Sequence, residues 1–441
     1  LTTEIDARWF AAKISNKSIQ GISIETSALI RSGLLPVGTR MPSIRDIAYE
    51  MGVSPATISE AWSELRRQKI LSGRGRNGTW ISGDRFIAKP ERLASAGNYS
   101  ADVLDLSQGV PDVDLLPRLD AALAHAASPS SLNSYTRSRI IPELEAAIRP
   151  EWPYAAEAFL TTNGGYNGIY AVIHALVLPG STIAIERPTA MRLLDILEDR
   201  GVNIVPVECD AEGPLPASLA AALEKRPAAF LFQPRLHSVC GRTVSSLRLA
   251  ALGDLLSGSD ALIIEDDGVG DVSPAPRQSL GVRFPDRTIH VLSFSKSHGP
   301  DLRLAVLSST QAITDQIQSF RSFSAGWTSR VLQAATAYLI RDPETRDLLD
   351  RSRQIYQQRR DRLETALAAH GIDIGQGGGL CCWVPVENEA FAMVTLAARN
   401  IAVHPGAKFT TLPDPHIRVA TSTLKDRYDE VAEAIMLASR P

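Results

Sequence analysis

Apolar positions along this chain fall into two rhythms, and where each occurs divides the chain. Between residues 160 and 307 short apolar runs bounded by polar or glycine-containing turns alternate with longer amphipathic stretches. The runs are Leu160, Thr182 to Ile185, Ile204 to Val207, Phe230 to Phe232, Ala261 to Ile264 and His290 to Leu292. The stretches include Leu219 to Leu223 and Leu247 to Leu256. Strand and helix in strict alternation predict a parallel sheet covered by helices, an α/β architecture. Beyond it, Arg330 to His370 is long, charged and periodic; it predicts helix, with its arginines on a solvated face.

The first 83 residues follow a different pattern. Ile19, Ile22, Leu29 and Ile30 share one face of a helix predicted to stop near Gly33, with Pro36 beyond it. Ser43 is placed to cap a second helix with Asp46 at its third position and Ile47, Ala48 and Met51 on its buried side. Gly52 permits a turn, Ser54 caps again, and Pro55 suits the first position of a helix over 56–70. Two short helices across a glycine-containing turn predict a helix-turn-helix, whose second member fits a major groove. Leu71 to Ile81, with Arg74, Arg76 and an Asn77-Gly78 turn, predicts a hairpin wing.

Charge sharpens this division. Residues 1–83 hold 11 Lys and Arg against 7 Asp and Glu, a surplus of 4 positive charges in a chain whose net charge is −3. A basic head on an acidic body suits a DNA reader joined to a small-molecule domain. No apolar run reaches the length of a membrane span, and the opening Leu1 to Trp9 carries acids and no long apolar core, so it does not read as a signal peptide. Cys209, Cys240, Cys381 and Cys382 have neither metal spacing nor a disulfide framework, which points to a reducing cytoplasm and to no metal site.

The chemistry concentrates in Ser293 to Ala305, Ser-Phe-Ser-Lys-Ser-His-Gly-Pro-Asp-Leu-Arg-Leu-Ala. Lys296 is predicted on a turn at a strand end, where apolar surroundings lower an amine's pKa and suit it to Schiff-base chemistry with an aldehyde. Arg303 is a fixed cation for a phosphate. Thirty residues earlier, Ile263-Ile264-Glu265-Asp266-Asp267 reads as a strand ending in acids, at the edge where open α/β sheets bind ligands. Lysine, carboxylate and cation are the trio that pyridoxal phosphate requires. The Gly-rich turn Asn163-Gly164-Gly165-Tyr166 opens a helix, a setting for phosphate.

The order of these motifs, and Ser-x-Ser-Lys followed by Leu-Arg, resembles fold type I aminotransferases. With Gly-x-Arg-x-Pro-Ser-x-Arg-x-Ile-Ala and then Gly-Val-Ser-x-x-Thr at the front, the whole chain resembles the MocR-type regulators of the GntR superfamily. The resemblance implies a winged helix-turn-helix over 1–83, a linker over 84–103, and an aminotransferase-like effector domain over 104–441 with a small subdomain from about 345. It implies pyridoxal phosphate held by Lys296, Asp266, Arg303, Asn163, Gly164, Gly165, Tyr166, Ser238 and Ser293, with Tyr135 reaching the neighbouring subunit's cofactor. Arg418, in His416-Ile-Arg-Val-Ala, would clamp an effector carboxylate. Arg40 and Arg45, with Ser54, Thr57, Arg74, Arg76 and Gly78, would contact double-stranded operator DNA. The expected protein is a transcriptional regulator sensing an amine or amino acid by aldimine exchange at Lys296. It would be a homodimer with exchanged DNA-binding domains, with no catalytic residue in use and no membrane attachment.

Three features of that family are missing. Ala190 stands where an aromatic usually covers the cofactor ring. The segment Pro234 to Gly241 leaves Ser238 where an asparagine meets the ring's 3-oxygen, and Gly268 replaces a tyrosine that donates to the same oxygen. Such losses favour binding over turnover, with His237 or Ser238 as a substitute donor. Two other functions stay open: a working aminotransferase with an accessory DNA-binding domain, and a regulator whose altered pocket senses a ligand without cofactor.

Overall fold

The computed structural model describes residues 5–31, 34–67, 70–73, 78–82, 92, 99–100, 102–128 and 132–440. The chain divides into two compact units, Leu1–Lys89 and Pro90–Pro441. Most of the expected linker over 84–103, together with Gly33, Arg74 and Arg76, lies outside the described residues.

The first unit contains α1 (Ala7–Lys13), α2 (Ile19–Arg31), β1 (Arg40–Met41), α3 (Ile44–Met51), α4 (Pro55–Arg67), β2 (Leu71–Ser72) and β3 (Thr79–Ile81), with strand order β1-β3-β2. Ser43 caps α3 by accepting from the Asp46 N–H at 3.2 Å, while its hydroxyl donates to the Asp46 carboxylate at 2.7 Å. Gly52 ends that helix at φ 66°, a left-handed turn that glycine adopts without strain. Ser54 caps α4 through the Thr57 N–H at 3.1 Å. Phe10 from α1, an element whose short apolar pattern gave no signal, packs edge-on against Trp62 with ring centroids 5.7 Å apart. Ile22, Leu29, Ile30, Ile47, Met51, Ile58, Leu65 and Ile81 complete this core.

The second unit begins with β4 (Leu104–Asp105), α5 (Asp120–Ala126), α6 (Pro142–Ile148), β5 (Ala158–Thr162), α7 (Gly165–Leu176), β6 (Thr182–Arg187) and α8 (Met191–Arg200). It continues through β7 (Asn203–Asp210), β8 (Gly213–Pro214), α9 (Pro216–Leu223), β9 (Ala229–Phe232), α10 (Ser246–Leu256), β10 (Leu262–Asp267), β11 (Thr288–Ser293) and β12 (Ala305–Ser309). The sheet order is β5-β12-β11-β10-β9-β6-β7-β8. Strands β7, β6, β9, β10 and β11 pair in parallel, as the alternating pattern predicts. Strand β12 runs antiparallel to both neighbours, and β8 is antiparallel to β7. The reason is connection length: too few residues separate β11 from β12 for a helical crossover, so the chain turns back beside itself.

That reversal matters for chemistry. Because β12 runs the other way, its beginning lies at the same sheet edge as the carboxyl ends of β5, β6, β9, β10 and β11. Arg303, two residues before β12, is thereby brought to the edge that carries Asp266 and Lys296.

The remaining elements are α11 (Gln311–Arg321), α12 (Arg330–Arg341), α13 (Pro343–Ala369), β13 (Cys381–Pro385), α14 (Glu389–Ala397), β14 (Ile401–Ala402), β15 (His404–Pro405), β16 (His416–Ala420) and α15 (Tyr428–Ser439). A small antiparallel sheet, β13-β16-β15, packs on α13, α14 and α15 around Leu363, Leu367, Val384, Leu396, Val419 and Ile435.

The expected single helix over 330–370 is two, divided where Asp342 caps α13 through the Thr345 N–H at 2.9 Å and Pro343 takes its first position. Its arginines are also not all solvated. Arg360 is fully buried and donates to the Cys381 carbonyl at 2.6 Å. The Arg353 Nε donates to the Asp271 carbonyl at 2.6 Å, and Arg359 pairs with Asp112 at 2.8 Å. Arg360→Ala is expected to lower stability on the order of 3 kcal/mol, through the cavity and the stranded carbonyl, measured as a lower midpoint of urea unfolding.

Candidate cofactor and effector site

The alternation of side chains along β10 selects which of three successive acids faces the pocket. Glu265 and Asp267 are engaged elsewhere. Glu265 accepts from the Ser279 hydroxyl at 2.6 Å and the Leu280 N–H at 2.7 Å, and meets His290 Nδ1 at 2.7 Å. Asp267 pairs with the buried Arg235 at 3.0 Å. Asp266, pointing the other way, is 3% exposed. Its carboxyl is pushed up to about 7 by burial first and then by Glu186 and Asp267. No hydrogen bond holds it among the described residues. A buried carboxyl without a partner is costly and awaits a cationic one.

Lys296 lies on the turn after β11 and donates to the Gly109 carbonyl at 2.6 Å. Burial lowers its amine to about 8; Cys381 opposes that shift, while Arg418 and Arg192 add to it. Gly109 is hemmed in, since a Cβ there would meet Cys381 Sγ at 2.6 Å and Arg418 Nη1 at 4.0 Å. Lys296 and Arg418 therefore converge on one backbone position.

Gly164, at φ 93°, is the N-cap of α7 and supplies no side chain to cap it, leaving the first N–H groups without partners inside the helix. Arg303 Nη2 reaches the Asn163 carbonyl at 3.4 Å, and a Cβ on Gly164 would lie 3.4 Å from the same guanidinium. A Cβ on Gly165 would come within 3.2 Å of the Ser293 Cβ, so Ser293 backs the turn. Helix N-terminus, glycines and guanidinium form a receptacle for an anion. Tyr166 follows directly, with the Arg192 guanidinium 5.0 Å from its ring centroid.

Arg418 on β16 is 8% exposed, donates through Nη2 to the Ser107 carbonyl, and lies 4.5 Å over the Phe409 ring. Two further expected positions make other contacts in this chain. Tyr135 is 88% exposed, edge-on to Trp327. Ser238 is fixed through its backbone N–H, which donates to Gln233 Oε1 at 2.8 Å. His237 is not available as a substitute donor. Its Nε2 donates to the Pro188 carbonyl at 2.9 Å, and its Nδ1 accepts from the N–H groups of Val239 and Cys240. Ala190, where an aromatic was expected, is buried at the start of α8.

Sequence reasoning missed Glu186, Gln233, Gly109 and Arg192. The Gln233 amide donates to Glu186 Oε1 at 2.9 Å, and Glu186 Oε2 is buried without a partner. Burial raises the Glu186 carboxyl above its ordinary range. The one available signal was position: both residues close apolar strands that end at the edge used by Asp266.

In the first unit, Arg45 and Ser54 are exposed, and Tyr49 on the outer face of α3 is 85% exposed. A Cβ on Gly78 would meet Arg40 Nε at 3.0 Å, so Gly78 lies against the Arg40 side chain. The Ser54 hydroxyl is shared with capping and lies 2.9 Å from that of Thr57.

This arrangement, a lysine and a buried acid at one sheet edge with a glycine turn and a guanidinium at a helix N-terminus, defines a fold type I aminotransferase-like domain. Residues 101–435 match the family Aminotransferase class I and II, and residues 22–81 match Bacterial regulatory proteins, gntR family. Kynurenine aminotransferase of Pyrococcus horikoshii superposes with a TM-score of 0.70 at 18% identity, covering 81% of this chain and 97% of that one. A Thermus thermophilus aspartate aminotransferase double mutant gives 0.70 at 21%, covering 80% and 100%.

Among curated proteins, the vitamin B6 salvage pathway transcriptional repressor PtsJ of Salmonella typhimurium is 31% identical over 405 residues, 90% of this chain and 92% of that protein. The pyridoxine biosynthesis transcriptional regulator PdxR of Corynebacterium glutamicum is 25% identical over 394 residues, 85% of each. TauR, an HTH-type transcriptional regulator of Rhodobacter capsulatus, is 26% identical over 432 residues, 86% of this chain and 87% of that one. The chain belongs to the MocR-type transcriptional regulators, a GntR helix-turn-helix joined to an aminotransferase-like domain. No helix among the described residues is long and apolar enough to cross a membrane.

The residues present fit pyridoxal phosphate. Asp266 is a buried acid with no hydrogen bond from the described residues, Lys296 is an amine held by one carbonyl, and the Gly164-Gly165 turn at the start of α7 lies against the Arg303 guanidinium.

Proposed function

We propose that this protein is a cytoplasmic regulator that holds pyridoxal phosphate on Lys296 and changes its operator binding when an amine or amino acid reaches that site. The observation that carries the reading is that Lys296, just after β11, and Asp266, near the end of β10, lie at one edge of the sheet in a chain whose front matches the gntR family. When bound, the cofactor supplies an aldehyde with which a primary amine condenses.

The chain's own groups do the rest. Lys296, its amine lowered to about 8 by burial, presents a neutral fraction of about one-tenth at pH 7. Asp266 holds a proton on the ring nitrogen, and Asn163, Gly164, Gly165, Tyr166, Ser293 and Arg303 receive the phosphate. Arg418 receives the effector's carboxylate in a planar, two-pronged contact. Arg40, Arg45, Thr57 and the wing contact operator DNA, and two copies exchange their DNA-binding units. Tyr135, exposed on its own chain, reaches the partner's cofactor. The signal passes because the effector favours one arrangement of the dimer over another. The site is used for sensing rather than turnover, in line with Ala190, Ser238 and Gly268 replacing the usual contacts.

The test mixes the purified protein with pyridoxal phosphate. An absorption band of a lysine imine, and one cofactor mass added after borohydride reduction, are expected, followed by changed operator affinity with members of an amine and amino acid panel. A colourless protein of unchanged mass overturns the cofactor assignment, and sustained exchange with a keto acid at enzyme-like rates overturns the sensing role. A second reading is favoured by the names of PtsJ and PdxR, which concern vitamin B6. In it the vitamer is itself the signal, and pyridoxal phosphate alone changes operator affinity.

A further inference from the structure

The operator contacts named above leave out the side of α4 that faces away from the core. On this 13-residue helix positions 56, 60, 63 and 67 fall in one line, because steps of three or four residues return to the same side. Ala56, Glu60, Ser63 and Arg67 are all exposed. The opposite side carries Ile58, Ala61, Trp62 and Leu65, all buried in the core of the first unit. The line therefore points directly away from that core. It belongs to the second helix of the helix-turn-helix, the member that enters a major groove with its N-terminal residues against base edges.

Two properties of this face narrow what it can read. The first ten residues of α4, Pro-Ala-Thr-Ile-Ser-Glu-Ala-Trp-Ser-Glu, contain no lysine or arginine. The arginines of its last turn are engaged, Arg66 with Thr79 at 3.3 Å and Arg67 with Glu64. At 1.5 Å per residue, Arg66 also lies about 15 Å along the axis from Ala56. The commonest contact to guanine, a guanidinium on O6 and N7, is thus unavailable from the N-terminal half of α4. What that half offers is apolar surface at Pro55 and Ala56, both exposed, and the exposed carboxylate of Glu60. Glu60 has no ion pair among the described residues. A carboxylate carried between phosphates is repelled by every sequence alike unless a base donates to it. Cytosine N4 is the donor that a glutamate takes, and the thymine methyl is the apolar feature of the same groove.

We propose that Glu60 selects a C·G pair in the operator and that Pro55 and Ala56 pack on the methyl of a thymine about two base steps away. The separation follows from the rise of ~6 Å between positions 56 and 60, set against ~3.4 Å per base step. The inference rests on the operator-binding reading and names base pairs which that operator carries.

The test selects sites from a random-sequence duplex pool with the full-length protein, once without and once with pyridoxal phosphate. The enriched motif is expected to hold a C·G pair with a T·A pair about two steps from it. Exchanging that C·G for any other pair should weaken binding about tenfold, the scale of one lost base-edge contact. Uracil in place of the thymine, which removes only the methyl, should weaken it several-fold, and Ala56→Gly should lose that sensitivity. Glu60→Gln should weaken the selected site and tighten binding to random-sequence duplex. It should also move the preference at that pair from C·G to A·T, since an amide fits adenine N6 and N7. A variant that has lost its fold, or a phosphate contact, would instead weaken on both DNAs.

An unchanged motif with Glu60→Gln, equal shifts on both DNAs, a motif indifferent to C·G, or a thymine that uracil replaces without loss overturns the proposal. Absence of any enriched motif under either condition overturns the operator reading itself, and this inference with it.

Discussion

Lys296→Ala is expected to abolish covalent capture of pyridoxal phosphate. The variant should show no imine absorption band and no added mass after borohydride reduction, while the wild-type chain gains one cofactor. Asp266, the glycine turn and Arg303 remain, so the variant should still bind the vitamer reversibly. The wild-type rate of capture carries a further signature, because only the neutral amine attacks an aldehyde. An amine lowered to about 8 is about one-tenth neutral at pH 7, a neutral fraction roughly 300 times that of a lysine at its ordinary value. Capture should therefore accelerate with rising pH and level off just above pH 8. A rate that climbs steadily to pH 10 would place Lys296 in solvent and remove the basis of the assignment. Operator binding by Lys296→Ala should persist but stop responding to amines, since the first unit has its own core, from Phe10 to Ile81.

The parts of this site that the sequence reveals are those held by local rules. Lys296 was legible because an apolar strand, a turn and Gly299-Pro300 follow one another along the chain. Asp266 was legible because acids close an apolar run. The helix caps at Ser43 and Ser54 could be read for the same reason: cap, turn and apolar face lie within a few residues of each other.

What escaped depends on strand order or on burial that the pattern does not encode. Glu186 and Gln233 meet because β6 and β9 are neighbours in the sheet, although two helices and two strands, α8, β7, β8 and α9, separate them in the chain. Arg303 was legible in the sequence as a cation for a phosphate, whereas the strand reversal that brings it to the pocket edge was not. Arg360 has the same sequence surroundings as the exposed arginines of α13; what buries it is the approach of Gly241 from one segment and of Gly377 and Cys381 from another.

Asp266→Asn should move stability and ligand affinity in opposite directions. In the folded chain the Asp266 carboxyl keeps its proton up to about pH 7, whereas the unfolded chain releases it near 3.8. The folded state binds the extra proton, so this residue's contribution to stability falls as pH rises from about 4 to about 7, and above that window the whole cost is present. At roughly 1.4 kcal/mol per pKa unit the cost is on the order of a few kcal/mol. Asparagine has nothing to ionise and nearly the same shape. The cofactor-free variant should thus melt several degrees above the wild type at pH 8, and the difference should vanish near pH 4. With pyridoxal phosphate the order should reverse. A pyridinium nitrogen supplies the cation that the buried acid lacks, and the amide offers only a neutral contact. Loss of a charge-assisted hydrogen bond of about 1.5–3 kcal/mol corresponds to roughly 10- to 100-fold weaker binding. Melting curves at pH 4 and pH 8, each with and without the vitamer, separate the two effects. If the variant is destabilised without cofactor at pH 8, Asp266 is an ordinary structural acid, and the ring nitrogen must be held by another group.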